Sequence, residues 1–317
     1  MSFRSLLQTP PPDVAIEIDH AHVGAARLVW RGNQAVVAAH AQEALPPGAV
    51  VPALASLNMA DVPLVAQVIG RVLAELGSKP ARIGLIVPDT VAKVSLLKLE
   101  KVPARAADLQ EIVRWQVRKT APFPIEQAVL SVSPGVPAAD GSCEMVVSLA
   151  RMDVIQQYEQ ACLMAGAEAG LVDIASFSVL NAILAAPGGP SGDWLLVHIT
   201  DTYLTLAVMR DRSLLFFRHR GEEAEGTLSD LIHQTAMYYE DRLHGGGFAR
   251  VLIAGGARLP GGAESVRRGL EERLRIGVES VDPRHAAALV DRIGATPELL
   301  DVLAPLVGML LREGRVA

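Results

Sequence analysis

Cysteine, aromatic residues and long runs of one residue type are all scarce in this chain of 317 residues. The two cysteines, Cys143 and Cys162, are too few for a disulfide framework and lack the spacing of a zinc site. We interpret both as small core residues in a reducing compartment. No run of five like charges occurs, and the net charge is −6, which argues against a broad nucleic-acid or acidic-lipid binding surface.

The sequence also shows neither a spanning helix nor a signal peptide that would direct the chain to a membrane. No window reaches the roughly 18 apolar residues that a spanning helix needs. The first twelve residues contain no apolar core long enough for a signal peptide. We therefore expect a soluble, cytoplasmic protein without direct membrane insertion, whose tail at residues 1–12 is flexible.

The composition that is present is that of a globular protein. Half of the residues are hydrophobic and 20% are charged, which excludes a disordered chain. A length of 317 residues allows one large or two medium domains, each with a well-developed core.

Two stretches, residues 14–37 and 194–220, repeat one pattern of branched and aromatic residues. Each predicts three antiparallel strands joined by two turns. The first breaks at residues 19–22 and 31–34, and the second at 201–202 and 210–212. Two copies of one meander, roughly 180 residues apart, indicate two related halves that face each other across a cleft.

The rest of the chain alternates predicted helices and strands, which is an α/β layer pattern. Residues 92–150 depart from it with a β-α-β-β order, which we interpret as a compact inserted subdomain. The predicted helices span about 61–76, 107–120, 152–165, 173–185, 227–244, a segment ending at 275, and 297–312. The predicted further strands span 81–87, 92–101, 128–133, 144–150, 169–172, 250–254 and 278–281.

Three motifs resemble one known family. Residues 111–130 (EIVRWQVRKTAPFPIEQAVL) match a helix with an acidic-x-x-Arg-Trp pattern before a Pro-Phe-Pro turn. Residues 251–261 (VLIAGGARLPG) match a glycine-rich loop, and residues 304–312 (APLVGMLLR) a last helix in which Gly308 allows close packing. In these features the chain resembles the PilM family of type IV pilus assembly proteins.

The resemblance implies a two-lobed actin-like fold (the actin, hexokinase and heat-shock-protein-70 fold) with an inserted subdomain like that of the cell-division protein FtsA. The implied divisions are a tail at 1–12, a first lobe at 13–90 and 152–187, an insertion at 91–151, a second lobe at 188–296, and a helix at 297–317 that returns to the first lobe.

In such a fold the two meander turns hold nucleotide phosphates, with an Asp-x-Gly pattern followed by Ser or Thr. Glycine lets backbone N–H groups approach the phosphate, and the aspartate holds Mg²⁺ or its waters. The first turn here keeps Asp19 but loses the glycine and hydroxyls, and the second has His198 in place of the acid and retains Thr202. The adenosine-side loop keeps Gly255 and Gly256, followed by Arg258.

Each of these residues also has a simpler interpretation. Asp19 is also a typical turn-capping aspartate, and Gly255 and Gly256 also suit a tight strand-to-helix turn without a ligand. His20 and His22 lack a third nearby ligand, so a loop pair is favoured over a metal site. ATP with Mg²⁺ therefore stays open as a cofactor, and we expect weak or absent ATP turnover and no catalytic residues of the usual type.

The resemblance implies a partner, the N-terminal tail of an inner-membrane PilN-like protein, bound in a groove between the first lobe and the insertion. Trp115, Phe123 and Ile125 are the candidate apolar contacts. The alternative for Trp115 is core packing of the insertion. We thus predict a cytoplasmic scaffold, peripheral to the inner membrane through partners, with self-association left open and no nucleic acid as a partner.

The rival functional class is an active ATP-binding member of the same superfamily. A small-molecule kinase needs a catalytic acid and intact phosphate loops. A filament protein like FtsA normally ends in a linker and an amphipathic membrane helix, a feature that we do not find in this sequence.

Overall fold

The computed structural model describes residues 12–137, 141–221, 228–257, 259, 261–291 and 293–312. The strands are β1 (Val14–Ile18), β2 (His22–Arg31), β3 (Gln34–Ala44), β4 (Arg82–Val87), β5 (Ala92–Leu99), β6 (Ala128–Pro137), β7 (Cys143–Arg151), β8 (Glu168–Ile174), β9 (Asp193–Ile199), β10 (Tyr203–Arg210), β11 (Ser213–Gly221), β12 (Arg250–Gly255), β13 (Val278–Ser280) and β14 (Ala288–Leu289). The helices are α1 (Val62–Glu75), α2 (Ala106–Val117), α3 (Met152–Met164), α4 (Ala175–Ala185), α5 (Leu228–Leu243), α6 (Gly262–Leu274) and α7 (Pro297–Leu311).

The first meander, β1 to β3, starts a six-stranded sheet of order β14-β3-β2-β1-β4-β8. Strands β4 and β8 add parallel to β1. Both faces of β1 are buried, because Val14, Ile16 and Ile18 pack on the core under α1 and α3, whereas Ala15 packs towards α7. Successive side chains point to opposite faces of a strand, so this mostly apolar strand suits a sheet covered by helices on both sides.

The second meander, β9 to β11, forms the same arrangement in a five-stranded sheet of order β11-β10-β9-β12-β13. Strand β12 pairs parallel with β9, as β4 does with β1. One face of this sheet packs against α5 and α6, and the other, through Trp194 and Leu196, packs against residues of α4. Helices α4 and α7 therefore lie between the two sheets and join the lobes.

The insertion has the predicted β-α-β-β order and forms its own three-stranded sheet, β5-β7-β6. Its small core holds Val113 and Val117 of α2 against Met145 and Val147 of β7. Helix α2 has one buried stripe, with Val113 and Val117, and one solvent face, on which Ile112 is exposed.

Gly308 lies where α7 crosses α4. A Cβ atom on Gly308 would stand 1.7 Å from the carbonyl oxygen of Ser178. Only glycine allows the two backbones to approach this closely, which confirms the sequence-based expectation of close packing at this position.

Two predictions of local structure were wrong. The helix predicted from Asp173 begins only at Ala175, because Asp173 and Ile174 continue β8 and pair in parallel with Ile86 and Val87 of β4. Aspartate is a common helix-capping residue, and the sheet pairing overrode that preference. The two-residue strand β14 was also missed, since so short a strand has no periodicity of its own.

The predicted flexible tail, apart from its last residue, lies outside the described residues. No helix in the described ranges is long and apolar enough to cross a membrane. Cys162 is buried, and this burial raises the pKa of its thiol to about 12, as expected for a core cysteine. Cys143 is only half-buried.

Candidate functional site

A small cavity forms where the two lobes meet, at the first turn of each meander. Its described lining comes from residues 17–22 of the first lobe, 198–201 of the second, the glycine loop at 255–256 with Leu259, and the start of α7 at 301–305. Asp19, Gly255 and Gly256 are therefore brought together, as the resemblance implied. The cavity measures about 100 Å³.

Asp19 closes its own turn. One carboxylate oxygen accepts the backbone N–H groups of Ala21 and His22, both at 2.7 Å, and the other lies 2.8 Å from Nδ1 of His22. Burial acts to raise the pKa of Asp19, but the hydrogen bond and charge of His22 and the two N–H groups outweigh it, so this pKa lies below its ordinary value. The geometry is that of a turn-capping aspartate.

The second turn is bound to the first across the cleft. Nε2 of His20 lies 3.1 Å from a carboxylate oxygen of Asp201, which links the two lobes. Thr200 bonds within its turn, with its hydroxyl accepting the N–H of Tyr203 at 3.0 Å. The hydroxyl of Thr202 lies 3.4 Å from that of Thr200 and so faces the turn.

The glycine loop already holds an acid. The N–H groups of Gly255 and Ala257 donate to the two carboxylate oxygens of Asp301, at 3.1 and 2.9 Å. Asp301 lies in the N-terminal part of α7. Its carboxylate therefore already accepts two backbone N–H groups of this loop. Arg258, predicted to join this site, lies outside the described residues.

Gly255 has a structural reason to be glycine. Its φ is +76°, and a Cβ atom there would stand 2.0 Å from the carbonyl oxygen of Ile199 on the neighbouring strand β9. The close approach of β12 to β9 therefore requires glycine with or without a ligand. This geometry favours the tight-turn interpretation of the loop.

Behind the cavity, a buried polar cluster connects the lobes through Asp89. Its carboxylate accepts the N–H of Ser176 at 2.9 Å, the hydroxyl of Ser176, and the hydroxyl of Thr205 at 2.6 Å. Each hydroxyl uses its single O–H to donate to Asp89, so the oxygen of Ser176 accepts from Nδ1 of His198 at 2.8 Å, and that of Thr205 from Nδ1 of His219 at 3.1 Å.

This cluster holds Ser, His and Asp but in the wrong order for nucleophilic catalysis. A hydrolytic triad places histidine between serine and aspartate, so that histidine takes the serine proton. Here Ser176 lies between Asp89 and His198 and is fully buried. Burial lowers the pKa of His198, against the opposing charge of Asp89, so a neutral histidine is favoured. His198 is thus a satisfied strand histidine.

The polar groups that line the cleft bond mainly to one another. Pockets for small molecules and cofactors measure roughly 300 to 1,000 Å³, and the cavity here is smaller at about 100 Å³. Among the described residues, no three His, Cys, Asp or Glu side chains are grouped to hold a metal ion.

Sequence reasoning missed three residues of this region, namely Asp89, Asp201 and Asp301. Asp201 carried a weak signal as part of the second turn. Asp301 is separated from Gly255 by 46 residues, and nothing local to α7 marks it as a partner of the loop.

The three residues predicted to bind a partner have different environments. The side chain of Trp115 is 74% exposed, next to Ile112 at 39% exposure one turn earlier on α2. The core-packing alternative for Trp115 is therefore wrong. Phe123 is half-buried against the core of the insertion, and Ile125, 5% exposed, belongs to that core. This burial argues against Ile125 as a direct partner contact.

Comparison with known families decides the identity. A family model described as "Type IV pilus assembly protein PilM" matches residues 15–241. The chain belongs to the PilM family of type IV pilus assembly proteins. A solved structure described as a "PilM-PilN type IV pilus biogenesis complex" superimposes with a TM-score of 0.81 at 19% identity, covering 96% of this chain and 99% of that one.

The paired meanders, the insertion and the central helices accordingly form a two-lobed actin-like fold, as in the PilM family. More distant similarities include an actin-like ATPase-fold protein of unknown function from Bacteroides thetaiotaomicron, with a TM-score of 0.46 at 9% identity over 92% of this chain and 94% of that one. Another is the ethanolamine utilization protein EutJ from Carboxydothermus hydrogenoformans, with a TM-score of 0.47 at 10% identity over 96% and 90%. Both scores lie below 0.5, so neither supports a functional conclusion.

Proposed function

We propose that this chain is a cytoplasmic scaffold of type IV pilus assembly, which binds the N-terminal tail of a PilN-like inner-membrane protein and turns over ATP weakly or not at all. Weak or absent turnover is supported by the hydrogen bonds of the two acids: Asp301 accepts from the glycine loop, and Asp19 accepts within its own turn. Both carboxylates accept hydrogen bonds from backbone N–H groups of the protein itself, whereas phosphoryl transfer needs groups free to act on the phosphate and its nucleophile.

The binding role is supported by exposed apolar side chains on the insertion and at its junction with the first lobe. Trp115 and Ile112 form an apolar strip on α2. At the junction, Arg151 donates to the carbonyl of Ala55, which holds the loop at 51–57 beside the start of α3. Val51, Leu57 and Met152 of this region are 60%, 56% and 41% exposed.

Exposed apolar residues at such a junction suit a short apolar tail that lies in a groove and inserts side chains into pockets. Tryptophan is enriched among the residues that dominate binding energy. In the complex described for the related structure, a PilM protein is bound to PilN. A PilN-like tail is therefore the partner that we assign to this surface.

The partner experiment titrates the purified chain into a fluorescent peptide that carries the N-terminal tail of the PilN-like inner-membrane protein. We expect Leu57→Ala and Trp115→Ala each to weaken binding about tenfold, the loss of a hot-spot contact. Met237→Ala, an exposed apolar residue on α5 of the second lobe, is the matched control. Unchanged affinity in both test variants would contradict the proposed groove.

The ATP experiment is separate, so that each half of the proposal can fail alone. Calorimetry with Mg-ATP should give no heat of tight binding, and phosphate release should not exceed that of the buffer. Micromolar affinity together with steady turnover would favour the alternative, an active ATPase of the superfamily.

A further inference from the structure

A large cavity lies away from the cleft. It is a groove of about 1150 Å³ formed by the second turn of each meander, the end of α4, residues 284–288 and the end of α7. Strand β2 runs from the Asp19 turn to this groove over 10 residues, which is about 30 Å of extended chain. No residue of the insertion is among its described lining residues.

The lining is basic. It includes Arg31, Arg212, Arg284 and Arg312, each from a different segment, together with His285, and no Asp or Glu among the described residues. This is unusual for a chain with a net charge of −6. Concave surfaces lined by charge of one sign concentrate ligands of the opposite sign.

Two of these arginines form ion pairs with carboxylates of the protein. Arg284 pairs with Asp282 at 2.6 Å, and Arg312 with Asp173 at 2.9 Å. In the described part of the chain, neither Arg31 nor Arg212 forms an ion pair with a carboxylate. One N–H of Arg212 donates to the carbonyl oxygen of Leu184, another lining residue, at 3.0 Å.

The same groove has apolar lining. Trp30, 39% exposed, lies beside Arg31, and Leu184, Ala185 and Ala288 contribute aliphatic surface. A partly exposed tryptophan beside arginines is typical of protein-binding sites, where these two residue types are enriched.

We propose that this groove binds an acidic segment of a partner protein, with carboxylates pairing to Arg31 and Arg212 and apolar side chains contacting Trp30 and Leu184. A peptide fits better than a single phosphate for two reasons. The volume exceeds the roughly 300 to 1,000 Å³ of small-molecule pockets. The basic residues also come from separate segments, and the apolar lining offers nothing to a phosphate. The site is independent of the proposed tail-binding groove, so both can be occupied together.

The test uses a fluorescein-labelled peptide rich in glutamate and leucine, titrated with the full-length chain and read by anisotropy. Two matched peptides replace every glutamate by glutamine or every leucine by serine. The charge-reversal variant Arg31→Glu/Arg212→Glu is compared with Arg268→Glu/Arg273→Glu, which makes the same charge change on exposed positions of α6. Thermal unfolding of each variant checks that the fold is retained.

We expect the first charge reversal to weaken peptide binding about tenfold or more, and the α6 reversal to leave it nearly unchanged. Trp30→Ala should also weaken it, and both matched peptides should bind more weakly. Equal binding to both charge-reversal variants, or to the glutamine peptide, would overturn the proposal. Displacement of the peptide by millimolar inorganic phosphate at constant ionic strength would also overturn it, in favour of a phosphate site.

Discussion

Asp301 is a residue on which the geometry of the glycine loop depends. Its carboxylate occupies two backbone N–H groups that the fold would otherwise present to an anion. Hydrogen bonds to a charged group contribute more to stability than neutral ones. Removing the carboxylate would also leave both N–H donors without their acceptor, which is costly.

Replacing Asp301 by Ala should lower the free energy of unfolding by about 1–3 kcal/mol, since Gly255 and Ala257 lose a charged acceptor. Urea unfolding measures this change. Glu272→Ala, at an exposed position of α6, is the control and should change stability by less than about 0.5 kcal/mol. Equal effects of the two substitutions would contradict the structural role of Asp301.

Ile125 is buried and Trp115 is exposed, so alanine substitutions at these two positions should affect different properties. Ile125→Ala should lower stability, whereas Trp115→Ala should lower partner binding. Ile125→Ala creates a cavity in the core of the insertion and should cost about 2–4 kcal/mol. Trp115→Ala removes a side chain that is 74% exposed and should cost less than about 0.5 kcal/mol. Denaturant unfolding checks both values, and a large loss of stability in Trp115→Ala would place that side chain in a core.

At the scale of elements, the packing of α7 on α4 determines how the two lobes are joined. Both helices contribute to the cores on either side of them. Their contact passes through Gly308, where the backbone of α4 leaves no space for a side chain.

Gly308→Ala should therefore destabilise the protein by roughly 2 kcal/mol or more, because the helices must move apart. Gly70→Ala on α1 is the matched control, since a Cβ atom there meets nothing within 4 Å. Alanine is the better helix former, so this control should gain about 0.5–1 kcal/mol. Thermal unfolding should therefore show a lower melting temperature for Gly308→Ala and a higher one for Gly70→Ala. An unchanged melting temperature for Gly308→Ala would mean that α7 packs loosely on α4.

At the scale of the whole molecule, the Asp89 cluster predicts that the stability of the interface between the lobes depends on pH. Burial lowers the pKa of both His198 and His219, with Asp89 opposing it, relative to the ordinary value of 6.5. The unfolded chain then binds more protons than the folded chain as the pH falls below about 6.5, so stability declines there.

We expect the free energy of unfolding to decrease as the pH is lowered from 7.5 towards 6, measured by urea titration at each pH. Burial raises the pKa of Asp173 to about 6, against the charge of Arg312. This group favours the folded state at low pH and loses that contribution as the pH rises from about 4 to just above 6, so near pH 6 it partly offsets the effect of the histidines. The slope should be smaller in His219→Gln and unchanged in His233→Gln, whose side chain is exposed. Equal slopes in all three proteins would exclude the cluster as the cause.

Much of the whole-molecule architecture could be predicted from the sequence. The two meanders, the β-α-β-β insertion and most helices follow from periodicity and turn residues, which act over a few neighbouring positions. Boundaries failed where a distant strand intervened, as at Asp173, whose pairing with β4 overrides its local preference for a helix start.

The candidate site divides in the same way. By itself, the sequence determined that the first meander turn lacks the glycine and hydroxyls of the family pattern and that the second has His198 in place of the acid, because residue types at a turn are local facts. Only the tertiary structure decided that Asp301 would bond the glycine loop, that His20 would bridge the cleft to Asp201, and that Arg31 and Arg212 would line one groove. Each of these pairs is far apart along the chain and meets because α4 and α7 pack the two sheets against each other.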